Sequence, residues 1–224
     1  MIDLTEFQKE LGYVFKNEEY LVNAVTHSSY TNEHTGFPSN ERLEFLGDSV
    51  LGLVVADKLY SLYPNENEGV LSKIRSHIVK EESLYKLALS MNFDKYILLG
   101  NSEIISNGNH KSSIISDSFE AVLAAIYKDG GFATAYEWLK KAIPEDLYFS
   151  AKDELNDYKT TFQEYIQRDG SAKIEYKLIE ETGPAHSKTF RVGVYVNGKF
   201  MAEGIDSSKK HAEQNAAKNA LNLR

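Results

Sequence analysis

The chain has 224 residues, a formal net charge of −8 at pH 7 and no cysteine. This length suits one or two domains with a full hydrophobic core, and the lack of cysteine excludes disulfides, thiolate metal ligands and a cysteine nucleophile. A cysteine-free chain fits a reducing compartment. The first residues have an amphipathic pattern rather than that of a signal peptide, and the apolar runs are too short to span a bilayer. We therefore expect a cytoplasmic protein with no membrane partner.

The charge is unevenly distributed along the chain. Residues 1–154 contain 14 basic and 24 acidic side chains, a net charge of −10, whereas residues 155–224 contain 11 and 9, a net charge of +2. The acidic total by itself argues against a nucleic-acid binder, but the basic C-terminal part indicates a second domain with a different role. We predict a first domain over 1–150, a charged linker over 151–157 and a second domain over 158–224.

Residues 1–38 have the spacing of two helices separated by a turn near Gly12 and followed by a polar loop, TNEHTGFPS. Within the segment THSSY, His27 follows an apolar run and is a candidate general base. A lone histidine beside a core more often packs and forms hydrogen bonds, and we expect that structural role.

The most informative segment is the helix predicted over 40–62, NERLEFLGDSVLGLVVADKLYSL, which is apolar almost all the way round. Asn40 suits the N-cap, and Pro64 stops the helix. Gly47 and Gly52 each cost about 1 kcal/mol relative to alanine inside a helix. We therefore expect another backbone or side chain to come close to the helix at both glycines.

Three acids interrupt this apolar helix. Glu41, Glu44 and Asp48 have the spacing i, i+3 and i+7, which places them on one side of the helix. Because unpaired carboxylates on a mostly buried helix are costly, we expect positive charge to lie against them.

The next stretch is predicted to contain a turn, a helix and a loop. Glu68 lies in the turn, YPNENEG, and is by default a solvated acid. Residues 70–90 have helical spacing, with Lys73, Arg75 and Lys80 on the polar side. These bases face either solvent or phosphate, and the sequence leaves both open. A loop rich in glycine and asparagine, LLGNSEIISNGNH, follows.

A second helix with acids in an apolar setting is predicted over 112–131, SSIISDSFEAVLAAIYKDGG. Asp117 and Glu120, at i and i+3, share one face of it. Packed against the first acidic face, they would gather four or more carboxylates, which cannot all stay ionised without a cation. Oxygen ligands favour Mg²⁺ or Mn²⁺ over zinc. The alternative is separate acids that cap helices or pair with lysine and arginine. A further helix over 132–150 places Trp138 in the core.

From residue 158 the pattern changes to that of a small α+β domain. A helix, TTFQEYIQ, precedes three strand-like segments, KIEYKLIE, SKTFRVGVYV and KFMAEG, and a closing helix. Asn197-Gly198 predicts a tight hairpin between the last two strands. Opposite the apolar face of the first helix lies a polar stripe, made of Thr160, Gln163, Glu164 and Gln167.

The closing helix has Lys209 and Lys210 in its first turn, where the helix dipole normally favours acids. Two lysines there are unfavourable to folding unless an anion binds, and the free amide groups of a helix N-terminus bind phosphate readily. The alternative is two solvated lysines.

Four segments of the N-terminal part, THSSY, NERLEFLGDS, YPNENEGVLSKIR and ISDSFEAVLAAIYKDGG, resemble the ribonuclease III family in order and spacing. The C-terminal part, with DYKTTFQEYIQ, GPAHSK and SSKKHAEQNAA, resembles a double-stranded-RNA-binding domain. The resemblance covers nearly the whole chain. It implies an all-α endonuclease domain followed by a small α-β-β-β-α domain that binds RNA.

The resemblance also implies an activity, a cofactor and partners. The enzyme hydrolyses both strands of double-stranded RNA, precursor ribosomal RNA and other structured transcripts among them, and leaves 5′-phosphate and 3′-hydroxyl ends with short 3′ overhangs. It uses Mg²⁺, for which Mn²⁺ substitutes, and no small-molecule cofactor. It acts as a homodimer joined through the nuclease domain, so that each subunit cuts one strand.

Site residues follow from the same resemblance. The implied metal ligands are Glu44, Asp48, Asp117 and Glu120, and the residues counted as catalytic are Asp48, Glu120, Glu41 and Glu68. Glu41 and Glu68 help to place the scissile strand and its metal ions, and Phe45 inserts into the partner subunit. The implied RNA contacts are Thr160, Gln163, Glu164, Gln167, His186, Ser208, Lys209 and Lys210.

Two positions depart from the family pattern. Asp206 stands where a glycine is common, and an acid there is expected either to repel phosphate or to stiffen the loop before the lysines. Ser102 replaces the second glycine of an LGxG-type segment. Three other interpretations remain at this point: a double-stranded-RNA-binding protein without catalysis, a metal-independent ribonuclease that uses His27 or His110, and a small-molecule phosphohydrolase.

Overall fold

The computed structural model describes residues 4–155, 158–168, 171–184 and 188–222, apart from the side chains of 153–155. The chain divides into two compact units, Met1–Leu155 and Asn156–Arg224. Across the described ranges, no helix is both long and apolar enough to cross a membrane.

Apart from its loops and one isolated bridge between Thr26 and Leu98, the first unit is helical in its described residues. Its helices are α1 (Thr5–Leu11), α2 (Glu19–Ala24), α3 (Ser28–Glu33), α4 (Glu41–Leu62), α5 (Glu68–Val79), α6 (Glu81–Ser90), α7 (Asn101–Ile105), α8 (Ser112–Gly130), α9 (Phe132–Ala142) and α10 (Glu145–Leu155). Helices α4 and α8 form its centre, as the sequence predicts, and Phe119 of α8 is fully buried between Phe93 and Trp138. Trp138 lies in the core, where its indole N–H donates to the Leu11 carbonyl at 2.7 Å.

Two predicted helices are each divided in two. Residues 70–90 form α5 and α6, because Lys80 adopts an extended conformation and the acids Glu81 and Glu82 begin a new first turn. Residues 132–150 form α9 and the start of α10, because Ile143 precedes Pro144 and is extended. Helix α10 then continues to Leu155, so the first five residues of the predicted linker are helical.

Two predicted loops contain short helices. Helix α3 includes the first residues of the polar loop TNEHTGFPS, and α7 lies in the loop rich in glycine and asparagine. The two helices are tied together, since Glu33 accepts hydrogen bonds from the backbone and side-chain nitrogens of Asn101 at 2.8 and 2.7 Å. Such tertiary bonds give no periodic signal in the sequence.

The second unit confirms the predicted order. Its elements are α11 (Tyr158–Gln167), β1 (Ile174–Thr182), β2 (Thr189–Val196), β3 (Lys199–Asp206) and α12 (Lys209–Asn222). The strands form an antiparallel sheet in the order β1-β2-β3. Asn197 and Gly198 both have positive φ, as a tight hairpin requires. The core consists of Phe162, Val194, Ala202, Ala216, Ala217 and Ala220.

Strand β3 lies at an edge of this sheet and directly under α12. A Cβ at Gly204 would lie 2.3 Å from the Ala216 nitrogen, so glycine permits this close packing. Asn215 and Asn219 of α12 donate their side-chain amides to the carbonyls of Ile205 and Glu203, at 3.1 and 2.9 Å. Two carbonyls of the edge strand are therefore bonded to the helix.

Candidate active site

Helices α4 and α8 touch backbone to backbone at Gly47. A Cβ there would lie 1.9 Å from the carbonyl oxygen of Glu120. Any residue other than glycine at this position would therefore force one of the two helices to move. The contact predicted at Gly47 is therefore confirmed. The contact predicted at Gly52 is wrong within the described chain, because a Cβ there would meet nothing within 4 Å.

This contact brings the two acidic faces together around Glu120. Burial raises the pKa of the Glu120 carboxyl to about 8, and the nearby charges of Asp48, Asp117 and Glu44 add to the effect. Four carboxylates from two helices thus act on one another, as the spacing of the acids predicts.

The pKa values of two other acids, Asp117 and Glu44, are raised for the same reasons. Burial raises the pKa of Asp117 to about 6, with contributions from Glu44 and Glu81 and an opposing hydrogen bond from Ser116. Burial also raises the pKa of Glu44, followed by the charges of Glu41 and Asp48.

The positive charge expected against these acids is not supplied by a lysine or arginine that shifts their pKa values, which speaks against the alternative of acids paired with basic side chains. The charged groups that shift the pKa values of Glu44, Asp117 and Glu120 are all acids. As the side chains stand in the described ranges, no three acids or histidines are close enough to enclose a metal ion. The donor set nevertheless fits a hard divalent cation, since all four groups are carboxylates and a cation would relieve their mutual repulsion.

The neighbouring acids are anchored by serines. Glu41 accepts from the Ser39 hydroxyl at 2.9 Å, and Glu68 accepts from the Ser72 hydroxyl at 2.7 Å. Glu68 is exposed at the start of α5, in keeping with a solvated acid.

Glu81 is an acid that the sequence does not reveal as part of this region. It accepts a hydrogen bond from the Ser112 hydroxyl and contributes to the raised pKa of Asp117. Its proximity comes from the packing of α6 against α8, so no spacing along the chain could have identified it.

His27 has the structural role predicted for it. Its ring nitrogen Nδ1 accepts from the Ser29 backbone N–H at 3.2 Å and so caps α3. Burial lowers the pKa of His27 against opposing contributions from Glu103 and Glu41, which favours the neutral ring.

The three bases after α4 differ in their surroundings. Lys80 forms an ion pair with Glu82 at 3.5 Å, whereas Lys73 and Arg75 are exposed on α5. Arg75 lines a groove together with Glu68.

The raised pKa values predict how stability depends on pH without metal. Between the ordinary and raised pKa values of Asp117 and Glu120, the folded state holds protons that the unfolded chain has lost. Stability therefore falls as pH rises from about 5 to about 8. Urea unfolding in chelator, followed by the fluorescence of Trp138, measures the first unit alone, because Trp138 is the single tryptophan. Added Mg²⁺ and the substitution Glu120→Gln should each reduce the loss, and a flat pH profile in chelator would contradict the prediction.

In the second unit, the predicted polar stripe lies on the surface of α11. Thr160, Gln163, Glu164 and Gln167 are all exposed there. His186 lies outside the described residues.

The first turn of α12 also has the predicted composition. Ser208 precedes the helix, and its hydroxyl accepts from the His211 N–H at 3.1 Å as an N-cap. Lys209 and Lys210 begin the helix and are exposed.

Comparisons with known proteins find a matching family for each of the two units. Residues 17–147 match the family described as "Ribonuclease-III-like", and residues 158–224 match the "Double-stranded RNA binding motif". The chain is 45% identical to "Ribonuclease 3" of Streptococcus agalactiae over 97% of this chain and 96% of that protein. It is 43% identical to "Ribonuclease 3" of Anoxybacillus flavithermus over 98% and 93%.

A solved structure matches the first unit. The nuclease domain of ribonuclease III from Campylobacter jejuni is 38% identical, with a TM-score of 0.60, and the match covers 64% of this chain and 97% of that domain. That domain has a flexible region involved in dimer formation.

The helical unit is thus a nuclease domain, and the α-β-β-β-α unit is a double-stranded-RNA-binding domain. The chain belongs to the ribonuclease III family, whose members are endoribonucleases that act on double-stranded RNA and depend on a divalent metal ion.

Proposed function

We propose that this enzyme uses Mg²⁺ at the carboxylates of α4 and α8 to hydrolyse both strands of duplex RNA. The observation that carries the proposal is the backbone contact between Gly47 and Glu120, because it joins the two acidic faces. The raised pKa values of Asp117 and Glu120 support the proposal, because a cation would relieve the repulsion among these carboxylates.

Glu44, Asp48, Asp117 and Glu120 would hold the ion. When bound, such an ion supplies a Lewis acid that polarises a phosphoryl oxygen and makes water nucleophilic near neutral pH. Because water attacks rather than the ribose 2′-hydroxyl, no cyclic phosphate forms, and departure of the 3′-oxygen leaves 5′-phosphate and 3′-hydroxyl ends.

Glu41 and Glu68 help to position the scissile strand. Both are exposed and held by serine hydroxyls, so their carboxylates are oriented without being buried. Glu41 is close enough to Glu44 to raise its pKa, which supports a role beside the ion.

The enzyme acts as a homodimer through an apolar face of α4. Phe45, Leu53 and Tyr60 lie on one side of this helix with 79%, 57% and 76% of their surface exposed. Large exposed apolar side chains in a row are typical of an interface. A two-fold dimer would present one carboxylate cluster to each RNA strand, and cuts offset across a groove would leave short 3′ overhangs.

The second domain supplies RNA affinity. The exposed stripe of α11 suits the shallow minor groove of A-form RNA, which displays 2′-hydroxyls to polar side chains. Together with the N-cap residue Ser208, Lys209 and Lys210 then bind phosphate at the start of α12.

Binding to duplex RNA should therefore weaken as salt rises. The double substitution Lys209→Gln/Lys210→Gln should lower the slope of log Kd against log salt by about 1 to 2, since each lysine displaces condensed counterions. Fluorescence anisotropy with a labelled RNA duplex in chelator measures this slope. A flat salt titration of the unsubstituted protein would contradict the prediction.

Cleavage of a perfect RNA duplex tests the proposed reaction. With Mg²⁺ the enzyme should cut both strands and leave 5′-phosphates, and chelator should stop it. Activity in chelator with cyclic-phosphate ends would contradict the metal-dependent reaction. Binding without cleavage in either Mg²⁺ or Mn²⁺ would instead identify a binding protein.

The cellular substrates are RNAs with long base-paired segments, with ribosomal RNA precursors first among them. Such substrates, together with a chain free of cysteine, favour a cytoplasmic enzyme.

A further inference from the structure

Asp206 forms a network of hydrogen bonds between the end of β3 and the start of α12. Its Oδ1 accepts from the Ser207 hydroxyl at 3.2 Å and from the Ser208 backbone N–H at 3.3 Å. Its Oδ2 accepts from the side-chain amide of Asn215 at 3.2 Å. One carboxylate therefore holds the turn before the helix and also reaches the helix itself.

These hydrogen bonds connect Asp206 to the turn that immediately precedes Lys209 and Lys210. Ser208, which donates to Asp206, is also the N-cap whose hydroxyl accepts from the His211 N–H. Asn215 bonds both Asp206 and the carbonyl of Ile205, so the strand end and the helix are fixed to each other. The direction in which the helix start presents its amides and lysines is consequently set through Asp206.

The negative charge of Asp206 weakens phosphate binding, whereas its hydrogen bonds orient the helix start that would bind phosphate. Its side chain is 29% exposed and lies three residues before the first residue of α12, where it repels an approaching phosphate. The ring Nδ1 of His211 lies 3.7 Å from Oδ1, and this histidine offsets the charge only when protonated. The hydrogen bonds of Asp206 and its charge thus have opposite effects on RNA binding.

We propose that Asp206 is a positioning residue for RNA binding, and that its hydrogen bonds to the turn outweigh its repulsion of phosphate. This inference rests on the proposed binding of phosphate by Lys209 and Lys210. A carboxylate that accepts three hydrogen bonds restricts the turn in a way that a glycine cannot.

Two substitutions that remove the same charge separate the two effects. Asp206→Asn keeps an oxygen for Ser207 and Ser208 but loses the bond from Asn215, because its amide nitrogen replaces Oδ2, whereas Asp206→Ala keeps none of the three bonds. We expect Asp206→Asn to bind an RNA duplex up to about threefold more tightly than the unsubstituted protein, and Asp206→Ala to bind at least about fivefold more weakly than Asp206→Asn. Glu175→Gln, on β1, controls for the loss of one negative charge elsewhere in the domain.

Three measurements on the full-length chain make the test specific. Anisotropy gives Kd and its salt slope, cleavage kinetics with Mg²⁺ give KM and kcat, and amide hydrogen exchange in α12 shows whether the domain stays folded. A positioning role raises KM for Asp206→Ala and leaves kcat unchanged, with α12 still protected from exchange.

The outcomes distinguish this inference from the proposed function beneath it. If Asp206→Ala binds as tightly as Asp206→Asn while Lys209→Gln/Lys210→Gln binds weakly, the positioning role fails alone. If the double lysine variant binds as well as the unsubstituted protein, the proposed phosphate site fails. Loss of exchange protection in Asp206→Ala would show that the carboxylate maintains the fold, and it would also overturn a specific role in positioning.

Discussion

Replacing Glu120 by glutamine should lower the rate of RNA cleavage by about a thousandfold or more while leaving RNA binding intact. Glutamine preserves the size of the side chain but removes the charge at the point where Asp48, Asp117 and Glu44 meet. A metal ion contributes several kcal/mol of transition-state stabilisation, and about 4 kcal/mol corresponds to a thousandfold in rate. Single-turnover cleavage of a labelled duplex, with anisotropy for binding, measures both quantities.

Glu137→Gln provides a matched control for this change. Glu137 lies on α9 in the same unit, with its side chain 61% exposed, and its only ion pair is a 4.0 Å contact with Lys140 among the residues that the structure describes. Its substitution should leave the cleavage rate unchanged. Cleavage by Glu120→Gln at the rate of the unsubstituted enzyme would mean that the carboxylates of α4 and α8 are not the catalytic centre.

Gly47→Ala should destabilise the nuclease domain by about 3 kcal/mol and reduce cleavage by on the order of a hundredfold in the molecules that remain folded. The added methyl group would lie 1.9 Å from the Glu120 carbonyl oxygen, so α4 and α8 must separate. That separation moves Asp48 away from Glu120. Urea unfolding followed by Trp138 fluorescence gives the stability, and cleavage under conditions where the variant is folded gives the rate.

Gly52→Ala tests the same substitution in the same helix without the clash. A Cβ at Gly52 meets nothing within 4 Å in the protomer, although the position lies on the face of α4 proposed for the dimer, at i+7 from Phe45. At concentrations where the protein is monomeric, the change should stabilise the domain by up to about 1 kcal/mol through helix propensity. Equal stability losses for the two variants would show that the close contact at Gly47 is not what makes glycine necessary.

The sequence predicts the central features of the catalytic unit because its signals are local. The spacing of Glu44 and Asp48 within one helix, and of Asp117 and Glu120 within another, defines two faces before any tertiary structure is known. The apolar surroundings indicate that both helices pack into the core, and the structure confirms that the half-buried Glu120 interacts with acids from both helices, including the exposed Asp48. The binding unit is equally predictable, since alternating residues and Asn197-Gly198 are strong signals for a hairpin.

What the sequence misses depends on tertiary contacts. Helix α7 is too short to show a helical pattern in the sequence. Its position depends instead on the hydrogen bonds from Asn101 to Glu33 of α3. Glu81 comes near Asp117 only because α6 packs on α8. The prediction at Gly52 fails for a related reason, since glycine composition indicates a close approach but does not identify the surface involved. The assigned roles of individual site residues stay predictions until the variants are measured.

The asparagine side chains along β3 bear on how this protein behaves when many copies gather on one RNA. An exposed strand normally offers its free carbonyls and amides to any similar strand, which is how folded domains begin to aggregate. Asn215 and Asn219 already occupy the carbonyls of Ile205 and Glu203. Neighbouring copies brought side by side on a long duplex therefore meet, at β3, an edge strand with two fewer carbonyls to offer for pairing.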